Sequence, residues 1–236
     1  MIEKLKQDLQ KLANPNKAKA LQRFFKTAKG EYAEGDKFLG VIVPLQRQLV
    51  KKYWEDLNFK EVDKLVKSAI HEERLIGLLV LVEKYQRAQT QQDKLKIYKF
   101  YLARAKYVNN WDLVDLTAPK IVGNYLLSRN KAILLKLARS KNLWERRIAI
   151  LATFEFIYNK NPQWALKISK ILLYDKHDLI HKAVGWMLRE VGKRCDEKYL
   201  INFLNKYAAK MPRTMLRYSI ERLSKKLKIE YLLASK

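Results

Sequence analysis

The sequence predicts an all-α fold, an α-solenoid of HEAT-like antiparallel helix pairs with a basic concave face. Three observations predict it. Apolar residues recur at helical spacing almost throughout the 236 residues. Only seven Gly and five Pro are present, about half the usual usage, which leaves little room for an all-β fold built on tight turns. Polar breaks then divide most of the chain into units of 33–36 residues, each long enough for two helices, which is a solenoid period.

The elements follow in order. Ile2, Leu5, Leu9 and Leu12 form the stripe of a first helix, which Asn14-Pro15 ends. A second helix carries Leu21, Phe24 and Phe25. Thr27 to Gly40 is the longest irregular stretch and holds three of the seven glycines. Pro44 suits the first turn of a third helix, with Leu45, Leu49 and Val50 on one face. These N-terminal helices occupy residues 1–57.

From Asn58 the pattern is regular. Breaks near Asn58, Gln92, Asn130, Pro162 and Asp196 place the first helix of each pair near 59, 94, 130, 163 and 196, at intervals of 35, 36, 33 and 33. Three of the second helices carry a basic residue followed three later by a small one: Arg74/Gly77, Arg146/Ala149 and Lys182/Gly185. Small residues there let neighbouring helices approach closely. The repeats run to about 226 with a short C-terminal tail, and residues 1–236 read as a single repeat domain. Stacked helix pairs curve, which supplies the concave face.

Composition restricts the partners. Lys and Arg number 49 against 24 Asp and Glu, a net charge of +25. The excess is spread out: residues 1–30 hold eight basic and two acidic residues, and residues 210–236 hold the same numbers. The folded body itself is therefore positive. That suits nucleic acid first and an anionic membrane surface second, against a merely solvated lysine surface. Apolar and aromatic residues make up 48%, too many for a disordered basic tail. One cysteine, Cys195, cannot form an internal disulfide. The longest apolar run, Leu78 to Val82, falls far short of the ~20 residues that span a bilayer. The amphipathic start resembles neither a signal nor a transit peptide. The expectation is a cytoplasmic monomer associated with the nucleoid.

Three segments hold candidate functional residues. On the helix from about Asp178 to Lys193, Ile180, Ala183, Val184, Met187, Leu188 and Val191 form the buried stripe. Lys182, Trp186, Arg189 and Lys193 line another face. A Trp among cations suits phosphate contact and ring stacking, or else packing between repeats beside solvated charges. On the apolar helix from Asn142 to Tyr158, Arg146 and Arg147 oppose the helix dipole at about 0.3–1 kcal/mol each. An anionic partner, or an acid on a neighbouring helix, would offset that cost. Trp111 and Asp115 lie four apart and share a helix face, with Asp115 a functional carboxylate or a structural cap. Gly30 to Lys37 has phosphate-loop glycine spacing, but Asp36 stands where the Lys belongs. His177 and His181 are four apart without a wider ligand set, so no metal is expected.

Several strings, in order along nearly the whole chain, resemble the AlkD-like DNA alkylation repair family of HEAT-repeat alkylpurine DNA glycosylases. They are Phe24-Phe25-Lys26-Thr27, Gly30-Glu31-Tyr32, Gly35 to Val41 with Pro44 and Arg47, Trp111-Asp112-Leu113-Val114-Asp115, Leu143 to Ile150, and Lys182 to Glu190. The resemblance implies that Asp115 is the catalytic carboxylate, that Trp111 and Trp186 flank the lesion's nucleotide, and that Arg147 holds a DNA phosphate. Arg146, Lys182, Arg189 and Arg47 join it as candidate phosphate contacts. Phe24 stands where some relatives carry Tyr and is a candidate DNA-contacting aromatic. The implied activity is hydrolysis of the N-glycosidic bond of N3- or N7-alkylated purines in duplex DNA, with no cofactor. The rival readings are a non-catalytic binder of damaged or branched DNA on the same scaffold, and a protein-binding adaptor.

Overall fold

The computed structural model describes residues 1–234. Among them all regular structure is helical, and Lys37 and Ile70 form an isolated bridge. The chain divides into two compact units, Met1–Thr117 and the residues from Ala118 onward.

The first unit contains α1 (Ile2–Lys11), α2 (Pro15–Phe24), α3 (Val43–Tyr53), α4 (Phe59–Val66), α5 (His71–Arg87), α6 (Gln91–Ala103) and the start of α7 (Trp111–Ala118). Helix starts follow sequence chemistry. Asn14 caps α2 with Pro15 at its first position, and Asn58 and Glu61 form a reciprocal capping box on α4. The core helix is α5, whose residues from His71 to Val82 are all buried. Gly77 makes its packing on α4 possible, because a Cβ there would lie 2.9 Å from the Cβ of Leu65.

The second unit opens with a π-helical turn, Pro119–Gly123, followed by α8 (Asn124–Leu126), α9 (Ala132–Ala138), α10 (Leu143–Tyr158), α11 (Gln163–Ile171), α12 (Asp178–Arg194), α13 (Glu197–Tyr207), α14 (Arg213–Ile220) and α15 (Lys225–Ala234). Its core lies along α10, buried over most of its length, and along the apolar stripe of α12.

The first helices of the pairs begin at 59, 91, 132, 163 and 197, within three residues of the starts predicted from the polar breaks. A bonding device recurs with the repeat. Arg74 and Arg146 each donate from Nη1 to the carbonyl of the serine six residues earlier, Ser68 at 2.9 Å and Ser140 at 3.0 Å. Both serine hydroxyls accept from the amide two residues on, that of Ile70 and of Asn142. In two of the three basic–small pairs the basic member thus ties the loop before its helix to the helix itself. The C-terminal segment is helical as α15. Tyr231 anchors it, buried and donating its hydroxyl to Asn205 Oδ1 at 2.7 Å.

Gly185 tests the close-approach reading. A Cβ there would lie 2.5 Å from both the Met215 carbonyl oxygen and the Tyr218 Cβ on α14. Helix propensity alone favours Gly185→Ala by about 1 kcal/mol. Overpacking against backbone costs about 1–3 kcal/mol and decides the sign. The variant should therefore melt below wild type, and a higher melting temperature would refute the packing argument.

Candidate nucleic-acid interface

In the first unit the candidate residues gather at the start of α7. The Asn110 side chain accepts from the Trp111 amide at 2.8 Å. Trp111 and Asp115 are half-buried, whereas Asp112, Leu113 and Val114 between them are buried. The four-residue spacing thus brings Trp111 and Asp115 to one partly exposed face.

Trp111 is the end of a stack of rings. It stacks on Phe25 at 5.1 Å between centroids, Phe25 on Phe38 at 5.1 Å, and Phe38 on His71 at 4.5 Å, all within 20° of parallel. Such pairs contribute about 0.5–1.5 kcal/mol each beyond their burial. Phe24 meets Trp111 edge-on at 5.8 Å and is 64% exposed, so this aromatic faces solvent beside the tryptophan. A cavity of about 220 Å³ lies here, bounded in part by Phe24, Phe25, Phe38, Gln46 and His71. Arg47, on the adjoining α3, is exposed.

A buried polar cluster supports the stack. His71 Nε2 lies 2.8 Å from Asp112 Oδ2, and its Nδ1 lies 3.4 Å from Asp36 Oδ2. Arg74 pairs with the same Asp36 oxygen at 2.6 Å. Asp112 is therefore committed inward, which leaves Asp115 as the carboxylate on the Trp111 face. Beside this cluster Glu72 accepts from the amides of Leu39, Gly40 and Val41 at 2.8–3.2 Å. These bonds fix the loop that carries Phe38.

The electrostatics of His71 are a contest. Burial disfavours its charge, but hydrogen bonds to Asp112 and Asp36 outweigh that and raise its pKa above the ordinary 6.5. Burial likewise resists the Asp36 charge, while His71 and Arg74 hold its carboxyl below the usual range. A raised folded-state pKa means that the His71 contribution is fully present below about 6.5, the unfolded value, and is lost as pH rises through the folded value. Wild type should accordingly lose stability as pH climbs from about 6.5, and His71→Gln should flatten that slope. Urea midpoints of both proteins across this range measure it. Parallel pH slopes would exclude His71 as the titrating group.

In the second unit Trp186 on α12 is half-buried, with its ring 6.0 Å from that of Phe154 on α10. The cations near it have protein partners. Lys182 pairs with Asp178 at 2.7 Å, both ends partly exposed. Arg189 pairs with Glu221. Arg146 binds Asp175 at 2.6 Å, the ion-pair alternative weighed from the sequence. Arg147 is buried and donates to the Leu179 carbonyl at 2.5 Å. His177 caps α12 by accepting from the Leu179 amide, and His181 Nε2 lies 2.5 Å from the Asp175 carbonyl oxygen. Among the described residues no group of three or more His, Cys, Asp or Glu could hold a metal ion, and no helix is long and apolar enough to cross a membrane.

Sequence reasoning did not single out His71, Glu72, Asp112 or Phe38 as parts of the site. The only available signal for the cluster was the polar run His71-Glu72-Glu73-Arg74 opening an otherwise apolar helix.

The described residues thus form an all-helical fold with an aromatic–carboxylate face at the start of α7, in a chain of large positive charge. The chain belongs to the DNA alkylation repair enzyme family, whose model matches residues 5–223. A solved structure described as a predicted DNA alkylation repair enzyme from Enterococcus faecalis is similar at a TM-score of 0.71 and 17% identity, covering 90% of this chain and 97% of that one. At that identity the likeness shows the fold. None of the curated proteins matches the chain.

Proposed function

We propose that the protein is a monofunctional DNA glycosylase that hydrolyses the N-glycosidic bond of N3- or N7-alkylated purines in duplex DNA. The observation that carries this reading is the division of labour on α7. Asp112 is buried against His71, while Asp115 shares a half-buried face with Trp111. Family membership supports DNA as substrate and an enzymatic role.

The chemistry fits a single catalytic carboxylate. Alkylation at N3 or N7 makes the purine cationic, so the C1′–N bond breaks with its electron pair going to the base, which leaves neutral. Positive charge then develops on the sugar. A carboxylate facing C1′ stabilises that charge and orients a water, whose oxygen bonds to C1′ as its proton passes to the carboxylate and on to solvent. The indole face of Trp111 stabilises a cationic sugar or base by about 0.5–2 kcal/mol. In the second unit Trp186 is assigned the same kind of contact. Arg146, Arg147, Lys182 and Arg189 there, and Arg47 in the first unit, are assigned to phosphates. Lys182 and Arg47 are the more exposed of these.

Release of free base from a duplex bearing N7-methylguanine, under single-turnover conditions, tests the proposal. Release well above the spontaneous rate is expected. Duplex binding without release above that rate would overturn it in favour of a non-catalytic DNA-binding protein.

A further inference from the structure

The second unit carries a groove, lined by residues of α11 and α13, that the proposed chemistry does not use. Its volume is about 520 Å³, more than twice that of the cavity beside Phe24. Trp164 and Lys167 and Lys170 line it from α11; Tyr199, Lys206 and Tyr207 line it from α13. None of the described residues that line it is acidic. All three lysines are exposed, and Tyr199 is 37% exposed.

The corresponding first helices of the first unit are built differently. There the Asp63 carboxylate on α4 binds Arg104, at the end of α6, at 2.5 Å and Lys67 at 2.5 Å. The Phe59 and Phe100 rings of the same two helices lie 5.3 Å apart. There a carboxylate sits between two of the cations, and the rings meet each other. In the α11–α13 groove three ammonium groups share one cavity with no carboxylate among its lining residues. Lys167 and Lys170, three apart on one helix face, repel each other. An anion lying in the groove relieves that repulsion. The rings specify which anion. Lys167 lies 4.7 Å from the Trp164 ring, Tyr207 packs against Phe203 at 4.8 Å, and with Tyr199 these rings line the same groove as the cations. That combination suits a ligand that alternates phosphates with unpaired bases. An acidic peptide supplies only the charge, and a duplex keeps its bases stacked on one another.

We propose that the α11–α13 groove binds single-stranded DNA, with Lys167, Lys170 and Lys206 on phosphates and Trp164, Tyr199 and Tyr207 stacking bases. The choice of DNA follows from the family to which the chain belongs. The inference is independent of the role given to Asp115.

The test uses the full chain and a labelled short oligothymidylate, followed by fluorescence anisotropy. The triple variant Lys167→Glu, Lys170→Glu, Lys206→Glu should weaken oligothymidylate binding by roughly tenfold or more, since three phosphate contacts become repulsive. A control with the same charge change on the first unit's helices, Lys60→Glu, Lys64→Glu, Lys99→Glu, should change it by less than about threefold. Trp164→Ala should weaken binding by about fivefold or more and stands alone if the triple variant fails to fold. Base release from the alkylated duplex should persist in Trp164→Ala, which separates this site from the proposed catalytic one. Equal losses in the two triple variants would reduce the effect to overall charge and overturn the proposal. So would competition by polyglutamate as effective as that by unlabelled oligothymidylate at equal charge, or unchanged binding in Trp164→Ala.

Discussion

Asp115→Asn should slow release of N7-methylguanine by about 10²–10³, equivalent to about 2.7–4 kcal/mol of transition-state stabilisation. The substitution keeps the shape of the side chain and removes its charge. It therefore deletes the interaction with a developing cationic sugar while leaving the helix surface intact. Duplex affinity should change little, because phosphate contacts rather than this acid supply it. The lower end of the range is the better expectation, since a cationic N7-alkylguanine already departs slowly unaided. Asp112→Asn is the informative companion. Asp112 lies 2.8 Å from His71 inside the unit, so its loss should appear as a lower melting temperature with a smaller rate effect. Single-turnover base release and thermal melting on both variants separate the two carboxylates. An Asp115→Asn protein as fast as wild type, beside a slow Asp112→Asn protein that melts normally, would reverse the assignment.

What the sequence disclosed was whatever repeats or lies within one helix. The 33–36 residue period is local, set by caps and breaks such as Asn58 and Asp196, and the observed helix starts follow it. Gly77 and Gly185 disclosed close helix contacts because only a missing Cβ permits them. The pairing of Trp111 with Asp115 needed only a four-residue spacing. The rest depends on chain returns that no window contains. Asp36 reaches His71 across 35 residues, and His71 reaches Asp112 across 41. Before those returns are known, His71-Glu72-Glu73-Arg74 reads as a solvated helix start, yet all four are buried. Arg146 illustrates the same limit. Its position in the first turn of an apolar helix left an external anion and an unspecified acid of the protein both open, and the acid, Asp175, lies 29 residues away.

Glu72→Ala should cost the first unit about 3–5 kcal/mol, the sum expected when several buried amides lose their acceptor. Glu72 is 1% exposed, and its carboxylate takes the amides of Leu39, Gly40 and Val41. The loop has few substitutes for these bonds. Gly40 sits at φ +83°, and a Cβ there would lie 2.2 Å from the Asn14 carbonyl oxygen, so the loop is pressed against the start of α2. Lys37 is already paired with the start of α5 through its own backbone, donating to the Ala69 carbonyl and accepting from the His71 amide. Removing the carboxylate leaves amides of a buried loop without acceptors, at about 1–3 kcal/mol for each that water does not reach. Glu72→Gln retains one acceptor oxygen and should lose roughly half as much, because a neutral acceptor makes weaker bonds than a carboxylate. The loop also carries Phe38, which stacks on Phe25 and through it supports Trp111. The alanine variant should therefore reduce base release at temperatures well below its melting point, as the support under Trp111 loosens. Urea midpoints at unchanged m-value give the stability term. A loss below about 1 kcal/mol in Glu72→Ala would mean that water or a shifted loop satisfies those amides, and that Glu72 does not hold the stack in place.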